Sequence, residues 1–154
     1  MSKNILLIDQ SDEERAYYTR EFNKIHNALQ FYHASSAREG LRLLKREKVD
    51  IVLIQKNLPV INGLLLLSGI KYIRKFRNLK VFIYSESIDD GYSSLARMLG
   101  ASGCIEKKED NGTVQRELNA ILNPGLLPKY VFFRKREIAQ LGDFIDINVR
   151  EFPD

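Results

Sequence analysis

Residues 49–63, VDIVLIQKNLPVING, constrain the fold of this chain more than any other stretch. Val49, Ile51, Val52, Leu53 and Ile54 make an apolar run rich in β-branched residues. A run of that kind marks a strand buried on both faces, as in the centre of a parallel sheet. It stops at Gln55-Lys56-Asn57, polar groups placed where the strand's carboxyl end opens to solvent. Leu58-Pro59 then bends the chain, and Asn62-Gly63 leads into an apolar pattern from Leu64. Open α/β sheets bind ligands at the carboxyl ends of their strands, so chemistry is expected around Gln55.

The rest of the chain alternates strand and helix signals. Residues 4–9, NILLID, form a short apolar run ending in an acid, and Ser11 with Glu14 reads as a capping box. Tyr18, Phe22 and Ile25 give the following helix its buried stripe. A strand over 29–34 precedes a second capping box, Ser36 with Glu39, and a helix with Ala37, Leu41 and Leu44 on one face. After the strand at 49–55, a helix is expected from Gly63 to Phe76, with Leu66, Ile70 and Ile73 facing the core. KVFIYS at 80–85 is a fourth strand, and Tyr92, Leu95, Ala96 and Leu99 fit a helical face. A fifth strand at 104–106 and a helix over 111–122, with Val114, Leu118 and Ile121 in its stripe, complete the pattern. Five strands alternating with five helices imply a doubly wound α/β sheet with right-handed crossovers.

Composition narrows the classes. A chain of 154 residues, 44% hydrophobic and 29% charged, has room for one ordinary core. No apolar run approaches the ~20 residues of a membrane span, and the N-terminal MSKNILLID lacks the features of a signal peptide. The single cysteine excludes an internal disulfide and agrees with a reducing, cytoplasmic setting. His26 and His33 form neither a metal nor a triad spacing. A net charge of +4 allows anionic partners without requiring them. Pro124, Gly125 and Pro128 separate a 1–123 domain from a 124–154 extension containing a YVFF strand, a basic Arg134-Lys135-Arg136 triplet and an alternating strand.

From about Lys3 to Leu122 the chain resembles the receiver domain of bacterial two-component response regulators, with Asn57-Leu58-Pro59 and Asn62-Gly63 close to that family's pattern. The resemblance implies a flavodoxin-like strand order 2-1-3-4-5. It places the phosphoryl-accepting aspartate at Gln55, and a carboxamide is no nucleophile. A working receiver holds magnesium with three acids. Here Asp9 matches one of them, while Gln10 and Gln55 are amides, so magnesium binding is expected to be lost and no cofactor is expected. Asp12 is better placed to cap its helix than to replace them. By the same resemblance, Ser85 and Lys107 match the hydroxyl and the ammonium that contact the phosphoryl group, although Lys108 stands where proline usually follows. Lys107 is expected to pair with Asp9 or to donate to the Gln55 carbonyl. The aromatic switch position falls on Cys104, a small thiol that cannot carry a ring rotation and reads as a buried hydrophobe.

A second stripe, Leu65, Gly69, Tyr72 and Phe76, runs along the third helix and needs a cover. Two covers stand open: the extension, with Tyr130 and Phe132, folding back, or the extension crossing to a second subunit as a homodimer. Lys71, Arg74, Lys75, Arg77 and Lys80, with the tail triplet, form a basic group that no nucleic-acid signature accompanies. The expected function is thus non-enzymatic: a pseudo-receiver signalling through a protein partner without phosphorylation and without membrane insertion. A nucleic-acid-binding regulator using the basic helix and tail is the alternative.

Overall fold

The five apolar runs lie side by side in one parallel sheet of order β2-β1-β3-β4-β5, as the resemblance implies. The strands are β1 Lys3–Ile8, β2 Leu29–Ala34, β3 Ile51–Gln55, β4 Lys80–Ser85 and β5 Gly103–Glu106. The helices are α1 Asp12–Ile25, α2 Ala37–Arg46, α3 Gly63–Tyr72, α4 Asp90–Met98 and α5 Asn111–Leu122. The computed structural model describes residues 2–107 and 111–123. The extension, with Tyr130, Phe132 and the tail triplet, lies outside the described residues.

Strand β3 is paired on both sides, to β1 from Ile5↔Ile51 to Ile8↔Ile54 and to β4 from Ile51↔Lys80 to Gln55↔Tyr84. Its side chains from Ile51 to Ile54 are buried. They alternate between two apolar layers, which explains why the run has no polar interruption. Leu6, Ile8, Val52, Ile54 and Ile83 pack with Ala37 and Leu44 of α2, Leu66 and Ile70 of α3 and Ala96 of α4. On the other face Ile5, Leu7, Leu53 and Phe82 pack with Tyr18 and Phe22 of α1 and Val114, Leu118 and Ile121 of α5. Of the face expected on α4, Ala96 is buried and Tyr92 and Leu99 pack against the core, whereas Leu95 is exposed.

Side-chain caps start the helices. Ser11 Oγ accepts the Glu14 N–H and Ser36 Oγ the Glu39 N–H, both at 3.2 Å, and Asn62 Oδ1 accepts the Leu65 N–H at 2.9 Å. Both expected capping boxes are only half made. The Glu39 carboxylate turns to the N–H and hydroxyl of Ser35, which hold its pKa below the ordinary value. The Ser11 N–H is taken by Asp9 Oδ1 at 2.9 Å, so Glu14 is released to bond elsewhere.

Helix α3 ends at Tyr72, short of the expected Phe76. Ile73 is extended, and residues Arg74–Phe76 form a 3-10 turn. The Lys71 ammonium causes much of this, donating to the carbonyls of Phe76, Arg77 (3.0 Å) and Leu79. Burial lowers its pKa. The turn folds Phe76 into the core at 7% exposure. Phe76 therefore leaves the partner stripe, and Lys71 leaves the basic group.

Gly63 fixes how α3 approaches the end of β3. Its N–H donates to the Lys56 carbonyl at 2.9 Å. A Cβ there would lie 2.9 Å from the Gln55 carbonyl oxygen and 3.2 Å from Lys56 backbone atoms, none of which can turn aside. Gly63→Ala is expected to lower stability by about 1–3 kcal/mol in urea unfolding. Gly69→Ala, with nothing within 4 Å of the added methyl, should be neutral or raise it by up to about 1 kcal/mol. Equal stability for the two variants would contradict this packing.

Candidate functional site

Because all strands run parallel, their carboxyl ends open on one rim, and the loops after β3, β4 and β5 surround a cleft of about 430 Å³ there. Gln55, Asn57, Ser85 and Lys107 line it, together with Glu14, Lys56 and Tyr84. Asp9 is outside the lining and 2% exposed, but it bonds to Tyr84, which is part of it. Gln10 is exposed, next to Asp9 but apart from the cleft. Cys104, second residue of β5, is buried in the layer beneath α2, α3 and α4.

Both oxygens of the Asp9 carboxylate have a donor. Oδ1 accepts the Ser11 N–H at 2.9 Å, and Oδ2 accepts the Tyr84 hydroxyl at 2.7 Å. The Asp9 carbonyl takes a guanidinium N–H of Arg15 at 2.9 Å, while Arg15 also pairs with the exposed Asp12. Burial, then the bond to Asp9 and its charge, push the Tyr84 phenol well above the ordinary tyrosine range, so it stays a proton donor. Its ring packs on Tyr18, centroids 4.5 Å apart.

Lys107 does not meet Asp9 or the Gln55 carbonyl. Its ammonium lies 2.6 Å from Glu14 Oε1 and 4.5 Å from the Tyr17 ring centroid. The physical reason is local: Tyr84 and Ser11 already satisfy Asp9, and Glu14, freed from its capping role, supplies the nearer anion. Gln55 Oε1 accepts the Asn57 N–H at a long 3.4 Å. Lys56 ties two loops together, donating to the Ser87 carbonyl at 3.2 Å and resting 4.7 Å from the Tyr92 ring centroid.

Tyr84 and Glu14 are the site residues that sequence reasoning missed. A tyrosine inside the otherwise apolar run KVFIYS is the available signal, since a buried phenol needs a partner for its hydroxyl. Glu14 was hidden behind its match to a capping box.

A family model, described as the response regulator receiver domain, matches residues 5–119. The chain belongs to that family. Solved receivers share its fold at low identity. The chemotaxis response regulator CheY4 of Vibrio cholerae is 16% identical with a TM-score of 0.70, over 79% of this chain and 99% of that one. The phosphorylated cyanobacterial phytochrome response regulator RcpA is 19% identical with a TM-score of 0.70, over 83% and 99%. A CheY-like receiver protein from Methanospirillum hungatei JF-1 is 21% identical with a TM-score of 0.66, over 80% and 96%.

On the surface of this receiver, Leu65 (59%) and Tyr72 (88%) of the expected stripe are exposed. Val60, in the loop before α3, joins them at full exposure. Its φ of 69° and the 2.7 Å bond from the Ile61 N–H to the Pro59 carbonyl make a γ-turn, strained for a β-branched residue.

Removing the Tyr84 hydroxyl tests the internal bond directly. Tyr84→Phe keeps the ring on Tyr18 but leaves Asp9 Oδ2 without its donor, and is expected to cost about 1.5–3 kcal/mol in urea unfolding. A variant as stable as the parent would show that Asp9 does not depend on Tyr84.

Proposed function

We propose that this receiver works in signal transduction through protein–protein contact and is not switched by phosphorylation. The observation that carries this reading is that Lys107 and Asp9 are bonded internally beside a neutral Gln55. Lys107 is held by Glu14, and Asp9 by Ser11 and Tyr84.

Three features support it. The side chain at the end of β3 is an amide, which cannot attack a phosphoryl donor as a carboxylate does. The donor set does not fit magnesium, which prefers several hard, charged oxygens. Two of the three positions are the amides of Gln10 and Gln55, and both oxygens of Asp9 already accept hydrogen bonds. Cys104, buried and small, offers no ring to move between inner and outer positions. In this reading the cleft stays in one state, and output depends on a partner meeting the apolar surface of Val60, Leu65 and Tyr72. A homodimer formed through the 124–154 extension is one form such a partner takes.

The test is incubation with acetyl phosphate and magnesium followed by intact-mass measurement. The natural chain is expected to show no added phosphoryl group. The Gln10→Asp/Gln55→Asp variant, which restores three carboxylates, is expected to gain one. Phosphorylation of the natural chain would refute the proposal.

A further inference from the structure

We infer that the end of the molecule opposite the cleft binds the phosphate backbone of nucleic acid. Two segments distant in sequence meet at the amino ends of β3 and β4: the last turn of α2 with the loop into β3, and the 3-10 turn with the loop into β4. They enclose a second cleft, of about 490 Å³, lined by Lys45, Arg46, Lys48 and Lys75. Arg42, Arg74 and Arg77 are exposed beside it in sequence. The ion pairs among the described residues, Arg15–Asp12, Lys24–Glu21 and Lys107–Glu14, use none of these seven cations. The two acids of the lining have other bonds: Asp50 Oδ2 accepts the Asn4 N–H at 2.8 Å, and Glu47 Oε2 the Tyr32 hydroxyl at 3.5 Å.

Helix stability accounts for only part of this placement, since Arg42 stands three residues after Glu39 and is attracted to it. Lys45 and Arg46 suit the negative end of α2, but Arg38 stands in its first turn, where the helix dipole disfavours a cation. Arg38, Arg42 and Arg46 also follow at i, i+4 and i+8, a row of like charges about 6 Å apart that repel one another. A polyanion laid along the row removes that repulsion, and guanidinium groups match phosphate oxygens in pairs. Lys71 contributes structurally, bonding the carbonyls of the loop that carries Arg74, Lys75 and Arg77. Tyr72, 88% exposed and two residues before Arg74, offers a ring on which an unpaired base can stack. A lipid surface needs several apolar groups among the cations. Among the described residues, Tyr72 is the one exposed large hydrophobic that adjoins them in sequence, with Val60, Leu65, Leu95 and Met98 lying farther off. The basic group expected on α3 and the tail is thus recast: Lys71 drops out, and α2 joins.

The experiment is fluorescence anisotropy of the full chain with labelled duplex and single-stranded oligonucleotides of about 20 nucleotides and unrelated sequences. If about four phosphates are neutralised, affinity for the duplex should fall about a hundredfold between 50 and 200 mM salt. Arg42→Glu/Arg46→Glu/Lys75→Glu should weaken binding more than tenfold and flatten the salt dependence, with the milder glutamine triple variant between them. Changing Arg134, Lys135 and Arg136 to glutamate alters net charge equally and should have the smaller effect. Tighter binding of the single strand, lost in Tyr72→Ala, would support stacking on that ring. No oligonucleotide binding at 50 mM salt would overturn the inference. So would loss of binding only in the tail variant, or binding to phosphatidylserine vesicles and to neither oligonucleotide.

Discussion

A buried carboxylate must be given hydrogen-bond donors or it destabilises the fold, and Asp9 is such a group, 2% exposed at the end of β1. Its needs order the site around it. Ser11 turns its N–H to Asp9, so Glu14 has no capping task and reaches Lys107 instead. Tyr84 spans from β4 to supply the second donor, and its ring settles on Tyr18 of α1. A single buried charge thereby links β1, β4, β5 and the first turn of α1. These bonds engage Asp9 and Lys107 within the chain.

The sheet makes this economical. With β3 buried on both faces, its carboxyl end opens to solvent where Gln55 and Asn57 stand. Gly63 lets α3 start close against that end, so the loop between them is short and its backbone is fixed by the Gly63–Lys56 bond. The cleft keeps its place at the carboxyl ends of the strands, with the amide of Gln55 at the end of β3. The amino ends of the same strands carry the opposite character, a cluster of cations without ion-pair partners among the described residues.

Both layers of the core and the start of each of the first three helices were legible from apolar period and cap residues, because those signals are local. The strand order came only from the resemblance to receivers. What could not be read depends on competition between distant groups. Glu14 matches a capping box in sequence, yet loses its partner to a carboxylate that precedes it by five residues. Lys107 had two candidate acceptors along the chain, and the one it takes is on α1. Phe76 continues the spacing of Leu65 and Tyr72, but Lys71 stops the helix before it and turns the ring inward. Tyr84 carried a signal that was readable, a phenol in a buried strand, and only the fold shows that Asp9 lies within its reach.

Lys107 and Asp9 are already engaged within the chain, the one by Glu14 and the other by Ser11 and Tyr84, so neither is free to meet an incoming phosphoryl group or its metal. Backbone NMR of the natural protein titrated with magnesium and beryllofluoride, a mimic of an aspartyl phosphate, tests this most directly. No saturable shifts are expected at Ser85, Lys107 or the residues after β3. Saturable shifts confined to those positions would contradict this, because they would show that the cleft still accepts an anion and its metal.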